Sequence, residues 1–263
     1  MDTPQRCLKT MKINKLITVL LPACLAFSTL SLADDGATEK RILAAISSDN
    51  RTQDDKQRDS SRKPLQTLMF FGLKEDMKVV EILPGGGWYS KILAPVLAQT
   101  GEYYLSIGSA RALKMLGAQG LDQVKIAEKD VRFEFAKRGQ AQLHSMDLGV
   151  SDMDMVLTFR NLHNFTTQSR KVMHQGIYNA LRPGGVYGVV DHTLRHMQPK
   201  SDETWRRMDP VQAIKEITAV GFEFVNFSNL HYRAGDDLKL DTTKPAINRN
   251  SDRFTLKFRK PAD

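Results

Sequence analysis

The run from Lys78 to Gly101 constrains this chain more than any other. Lys78-Val79-Val80-Glu81-Ile82-Leu83 is a short β-branched and apolar segment of the kind that makes a buried strand. Pro84-Gly85-Gly86-Gly87 follows at once, and Ile92, Leu93, Val96 and Leu97 then recur at helical spacing up to a stop at Gly101. A strand that passes through a glycine-rich turn straight into a helix lets its backbone approach a ligand closely and points helix N-terminal amides at it. The segment has an acidic-x-Gly-x-Gly-x-Gly register from Glu81 to Gly87, with Leu83 in the place of the first glycine. Read instead as the Gly-x-Gly-x-x-Gly of nicotinamide-binding enzymes, starting at Gly85, its third glycine is Ser90.

The rest of the chain continues the alternation. Further strands are expected at Tyr103–Ile107, somewhere within 124–135, at Asp154–Phe159, Gly185–Asp191, Phe222–Phe227 and Phe254–Phe258. Helices are expected around Leu65, Leu68, Met69 and Phe71 with a stop at Gly72, and around Val172, Ile177, Ala180 and Leu181 with a stop at Pro183-Gly184-Gly185. Another helix opens at Asp209, an N-cap followed by Pro210, and runs through Ile217 to Gly221. Strands alternating with helices imply right-handed crossovers and a mainly parallel sheet. Only the polar stretch from Ser228 to Asp252 separates the last two strands, which are therefore expected to pair antiparallel. Before the first strand, Ile42 to Ile46 predicts one short helix, and the polar residues from Asp49 to Arg62 a solvated arm.

The N-terminus reads as an address. Lys12 and Lys15 precede an apolar run from Leu16 to Leu32 that ends in Ser31-Leu32-Ala33 before Asp34-Asp35, a secretory signal pattern with cleavage after Ala33. Met11 is then a candidate true start, with 1–10 an extension. Two alternatives stay open: an uncleaved anchor, for which the run is short and carries Pro22, and a lipoprotein cleaved before Cys24. Both cysteines, Cys7 and Cys24, fall in the leader, so the exported chain would have no disulfide, thiolate metal site or cysteine nucleophile. The hydrophobic fraction of 41% and charged fraction of 26% are those of a globular chain, which excludes wholesale disorder and a polytopic membrane protein. Of the net charge of +8, residues 1–33 account for +3, leaving a scattered +5.

Chemistry concentrates at the ends of two expected strands. Arg160-Asn161-Leu162-His163-Asn164 follows the fourth, where open α/β sheets place their ligands. There His163 could serve as a general base, and Arg160 could hold a carboxylate or phosphate through its fork of donors. Asp191-His192 ends the fifth strand and points at the same crevice. Trp88 and Tyr89 could wall the pocket or pack in the core. Arg206-Arg207 and the basic residues Arg249, Arg253, Lys257, Arg259 and Lys260 show no interleaved stacking aromatics and read as solvated faces, with no nucleic-acid partner. The histidines, His192 and His196 included, lack zinc-site spacing, so no metal is expected. No pattern specifies an oligomer.

The run Glu81 to Ser90, the run Asp154 to Phe165, the run Leu181-Arg182-Pro183-Gly184-Gly185 to His192 and the ending Ser251 to Phe258 resemble the exported class I S-adenosylmethionine-dependent methyltransferase-like proteins of Gram-negative bacteria. The resemblance covers about residues 40–260. It implies a Rossmann-like α/β fold with a seven-stranded mainly parallel sheet and an antiparallel C-terminal strand. It divides the chain into a signal peptide (1–33), a helical arm (34–70) and a methyltransferase-like domain (71–263). It implies S-adenosyl-L-methionine as cofactor, held by Glu81, Pro84, Gly85, Gly86, Gly87, Asp147, Arg160 and Asn161, with Asp147 toward the adenine. The requirements of methyl transfer then place catalysis with His163, Asp191 and His192 on a small-molecule substrate, with 228–252 as the expected lid, and the signal pattern implies the periplasm with no membrane anchor after cleavage. Against the pattern, the second strand lacks a terminal acid for the ribose hydroxyls, where Ser106 or Ser109 could substitute. A non-catalytic binding module that kept the fold is the alternative. An oxidoreductase is disfavoured, because no tyrosine has a lysine four positions later.

Overall fold

The computed structural model describes residues 27–135 and 140–262. Most of the expected leader, with Cys7 and Cys24, lies outside them. The chain begins with helices α1 (Phe27–Ser47), α2 (Gln53–Gln57), α3 (Asp59–Arg62) and α4 (Pro64–Phe71). Alternation follows as β1 (Lys78–Ile82), α5 (Ser90–Leu97), β2 (Glu102–Ser106), α6 (Ala110–Gly117) and β3 (Lys125–Ile126). Two strands, β4 (Asp130–Glu134) and β5 (Gln142–Asp147), form a separate antiparallel ribbon. Then come β6 (Met153–Phe159), α7 (Thr167–Ala180), β7 (Leu181–His192), α8 (Pro210–Thr218), β8 (Glu223–Ser228) and β9 (Arg253–Arg259). No helix among the described residues is long and apolar enough to cross a membrane.

The main sheet has seven strands in the order β3-β2-β1-β6-β7-β9-β8, parallel except for β9, which runs antiparallel to both its neighbours. The expected architecture is the observed one, including the antiparallel pairing of the last two strands. The order reverses between β1 and β6, so the crevice at their carboxyl ends is the natural ligand site of such a sheet. The region 124–135 was expected to hold one strand and holds two, the short β3 of the main sheet and the outlying β4. The partner of β4, β5, buries Leu143 and Met146, three residues apart because the register shifts between them, and was not anticipated.

Helices cover both faces of the sheet. On one side Met173, Ile177, Ala213 and Ile217 of α7 and α8 pack on Val80, Val156, Tyr187 and Val189. On the other, Ile42, Leu68, Phe71, Ile92, Leu93 and Leu97 of α1, α4 and α5 pack on Val79, Leu105, Met155 and Leu157. Two boundaries follow the local chemistry read from sequence. Asp209 caps α8 by accepting from the amides of Val211 and Gln212. Gly72, at φ 82, ends α4 in the left-handed conformation that costs a glycine least.

The segment expected as a solvated arm is folded onto the domain. Arg51, Asp55 and Arg62 are buried, because each charge found a partner or a ring on the way in. Arg51 reaches the carbonyl of Ile46 and the carboxylate of Asp59. Asp55 accepts from Lys91 Nζ of α5 at 2.5 Å and caps α2 with Thr52, while its backbone carbonyl takes the indole N–H of Trp88. Arg62 lies over the Trp88 ring, 4.3 Å from its centroid. Burial pushes the Asp55 carboxyl up, but the bonds from Lys91 and Thr52 outweigh it and hold it below the ordinary value.

Two expectations test this packing. Breaking the buried Asp55–Lys91 pair with Asp55→Ala should cost about 3 kcal/mol and release the segment. Limited trypsin digestion should then cut after Arg58 and Arg62 much faster than in wild type, and an unchanged digestion pattern would show that the segment is held by something else. Gly176 of α7 sits where an added Cβ would lie 2.5 Å from the Met146 carbonyl oxygen of β5. Gly176→Ala should therefore lower stability by about 1–3 kcal/mol in urea unfolding, and a variant as stable as wild type would refute that close contact.

Candidate functional site

Glu81, near the end of β1, is buried and accepts hydrogen bonds from Ser90 Oγ at 2.6 Å and from the Tyr103 hydroxyl. Burial pushes its carboxyl up, opposed by those two donors and by Arg62 and Arg160. The turn then passes through Leu83 at φ 54, Gly85 at φ 58 and Gly87 at φ 69. Leu83, in the first glycine's place, adopts the left-handed conformation that the glycine register would supply without strain. A Cβ built on Gly85 or Gly86 would meet nothing within 4 Å, so the space above them is open.

That space is a cavity of about 420 Å³. Glu81, Pro84, Gly85, Gly86, Arg160 and Asn161 line it, with Trp88 and Tyr89 walling it as one of their two expected roles has it, and with Arg111 and Met115, which the sequence did not single out. Gly87 is not among the lining residues; its missing Cβ makes room for Met115 of α6 at 2.6 Å. Asp147 is a correction. It ends β5 on the outlying ribbon, where it is exposed, pairs with Lys129 at 3.1 Å and accepts from the amide of Gly149. It stands before β6, at the amino end of that strand, whereas the cavity lies at the carboxyl end. Glu128, just after β3, accepts from Ser109 Oγ at 3.2 Å and is the carboxylate that reaches the turn after β2. Ser106 Oγ is buried with no hydrogen-bond partner among the described residues.

Asn161 lines the cavity, but its amide nitrogen is engaged elsewhere. It donates to the carbonyls of Ile82 and Leu83 and to Thr158 Oγ1, which ties the end of β6 to the glycine turn. Arg160, at φ 64, leaves the strand in the left-handed conformation while its amide donates to Val190.

The three catalytic candidates come together. Asp191, fully buried at the end of β7, accepts from the backbone amide of His163 at 3.0 Å, from His163 Nδ1 at 2.6 Å and from the amide of His192 at 2.7 Å. A carboxylate only accepts, so Nδ1 of His163 carries a proton, and in the neutral ring Nε2 keeps the lone pair. Nε2 has no hydrogen-bond partner among the described residues and is not sealed in the interior. His163 lines a second cavity of about 480 Å³, beside the first. His192 lines it too, with Nδ1 paired to Ser251 Oγ at 2.8 Å. Burial, then the nearby Arg253 and His163, push His192 well below its ordinary value, so it is neutral. Trp205 faces His163 edge-on at 6.2 Å and was not foreseen.

The segment 228–252 covers this edge of the sheet as expected, but it is fastened. Arg207, expected on a solvated face, is completely buried; its fork holds Asp236 through two bonds of 2.9 Å and also donates to the carbonyls of Leu240 and Thr193. His231 bridges Thr255 Oγ1 and the Arg62 carbonyl. Arg253, likewise expected in solvent, is buried and donates to the Ser61 carbonyl. The arm and the C-terminal segment thus meet over the site and bring Arg58, Arg62, Arg249 and Arg253 to it, and Arg206 joins them from the loop before α8. No local signal marked these arginines, since their convergence depends on segments almost 200 residues apart.

No protein-family model and no curated protein sequence matches the chain. Solved structures do. A S-adenosylmethionine-dependent methyltransferase from Aquifex aeolicus superposes with a TM-score of 0.54 at 14% identity, over 84% of this chain and 98% of that one. The cyclase SpnF gives 0.53 at 16% identity, over 89% and 96%. The S-adenosylmethionine-dependent methyltransferase SibL gives 0.51 at 13% identity, over 78% of this chain and 56% of that one. At these identities the likeness is one of fold: this chain has the Rossmann-like fold of class I S-adenosylmethionine-dependent methyltransferases.

Proposed function

We propose that this protein is an exported S-adenosylmethionine-dependent methyltransferase acting on a small molecule. The observation that carries the reading is His163, held by Asp191 with Nε2 free, in a cavity that shares Arg58, Arg62 and Arg160 with the cavity over the glycine turn. The fold supports it without fixing it, since SpnF shares the fold and is described as a cyclase.

The residues over the turn fit the cofactor. Gly85 and Gly86 leave open space, Glu81 offers a buried carboxylate toward an ammonium group, and Glu128 stands by the turn after β2. Bound there, S-adenosylmethionine would supply a methyl group made electrophilic by its sulfonium. What remains for the protein is alignment and removal of a proton. Asp191 keeps the His163 ring in one orientation and one tautomer, Nε2 takes the proton from the acceptor, and the imidazolium so formed is stabilised by the carboxylate behind it.

Calorimetric titration with S-adenosylmethionine and S-adenosylhomocysteine tests the reading, and the absence of saturable heat with either would overturn it. Gly85→Leu should abolish that heat, because it places a side chain in the open space at a φ that side chains resist. His163→Ala should leave cofactor affinity within a few-fold and cut turnover by about 100-fold or more, the usual contribution of a general base. Failure of the folded His163→Ala protein to lose turnover would remove this histidine from the chemistry. A binding module is the second reading, favoured by the unpartnered Ser106 Oγ and the lack of an acid at the end of β2. It predicts ligand heat with no methyl transfer by the wild type.

Export is part of the proposal. Cleavage after Ala33 would make Asp34 the new N-terminal residue. Intact-mass measurement on periplasmic material should place the N-terminus at Asp34. A lipidated Cys24 in the membrane fraction would replace this with the lipoprotein alternative.

A further inference from the structure

The cavity beside His163 is built for negative charge. Its lining includes Arg58, Arg62, Arg160, Arg206, Arg249 and Arg253, and no aspartate or glutamate. Arg206 is matched by Asp241 at 2.7 Å and Arg249 by Asp54 at 3.0 Å. Arg58, Arg62, Arg160 and Arg253 form no ion pair among the described residues, although Asp54 and Asp55 act on Arg58, and Asp191 and Glu81 on Arg160, from farther off. Two of these four are nine-tenths buried or more, Arg62 at 3% exposure and Arg253 at 7%, and each keeps a buried nitrogen with no hydrogen-bond partner, Nη2 and Nε respectively. Burial first, then repulsion from Arg160 and Arg58, pushes Arg62 down to about 7, and burial followed by Arg160 pushes Arg253 down to about 10.

Guanidinium groups hold their protons inside proteins, so the cluster folds against its own repulsion. The cofactor would not relieve it. S-adenosylmethionine sets one carboxylate against an ammonium and a sulfonium, so it arrives with net positive charge. Its carboxylate can engage one of the three arginines common to both cavities and leaves the others. Ser61, Thr242, Thr243 and Ser251 add hydroxyl donors to the same walls. Forks of this kind match carboxylate and phosphoryl oxygens alike.

We propose, resting on the methyltransferase reading, that the methyl acceptor is a small oxyanion carrying two or more negative charges. Arg58, Arg62, Arg160 and Arg253 seat it, with its nucleophilic atom at His163 Nε2. The anion offsets the arginines and, with the cofactor bound, the sulfonium as well.

The test is a calorimetric titration of the full chain with pyrophosphate and, separately, with tricarballylate, each in the presence and absence of S-adenosylhomocysteine, with glycerol as the uncharged control. Both oxyanions, or one of them, should bind saturably with S-adenosylhomocysteine present while glycerol gives no heat; the tighter arm tells phosphoryl from carboxylate. Arg58→Gln, at a half-buried position that should tolerate it, and Arg253→Gln should each weaken that binding about tenfold or more, the loss of one charged hydrogen bond. Arg249→Gln, already matched by Asp54 at the rim, should change it by less than about threefold. Binding of neither oxyanion, or binding that folded Arg58→Gln leaves unchanged, overturns the proposal. S-adenosylhomocysteine heat without oxyanion heat overturns the acceptor class alone. Oxyanion heat without S-adenosylhomocysteine heat overturns the methyltransferase reading, and the acceptor role with it.

Discussion

A carboxylate withdrawn completely from water must be met by donors, and Asp191 at the end of β7 is met by three. Two come from His163, through its amide and its ring, and one from the amide of His192. This single group therefore joins the end of β7 to the turn that follows β6, and it orients the imidazole. The chain leaving β6 is bound from the other side by Asn161, which donates to the carbonyls of Ile82 and Leu83. The ends of β1, β6 and β7 become one rigid edge, so the glycine turn and the candidate base are positioned relative to each other by hydrogen bonds and not by loop length.

That edge is strained where it faces the cavities. Leu83 after β1, Ile107 after β2 and Arg160 after β6 all hold left-handed φ values of 54, 59 and 64. Each costs on the order of 1–3 kcal/mol and persists only where its surroundings fix it. The compensation is visible at two of them: the Leu83 amide donates to Ser106 and the Arg160 amide to Val190. Three adjacent strands turning out of the sheet in the same way clear the space above their ends, which is what a ligand lying across them requires.

How much of this was legible depends on whether the information was local. The glycine turn, the stop at Gly72, the cap at Asp209 and the antiparallel last pair rest on periodicity and on residues with special backbone chemistry, and they appear where the sequence put them. The His163–Asp191 meeting was legible because one residue follows β6 and the other ends β7, parallel neighbours whose carboxyl ends converge by topology. Asp147 misled because a carboxylate shortly before a strand looks the same whether it stands at the cavity or at the opposite rim. The intervening ribbon of β4 and β5 decided that, and the register shift in β5 leaves no clean alternation to read. Arg62, Arg207 and Arg253 were unreadable for another reason. Arginine defaults to solvent, and only distant partners, Trp88, Asp236 and the Ser61 carbonyl, brought them inside.

Those distant partners also decide what kind of site this is. A lid that closes on its ligand keeps its own bonds weak, but here Arg207 is locked to Asp236, the Asp252 amide donates to that same carboxylate, and His231 and Arg253 tie the C-terminal segment to the arm. The arm is in turn pinned to α5 by Asp55 and Lys91. The arginines are therefore gathered before any ligand arrives, and the unfavourable part of assembling them is borne by folding. A ligand entering such a site has little left to organise, so its charge counts almost in full toward binding. The same logic explains why His192 is neutral beside them: burial and the positive field both oppose a proton there. Of the two histidines that line the cavity, only His163 has a carboxylate behind its ring.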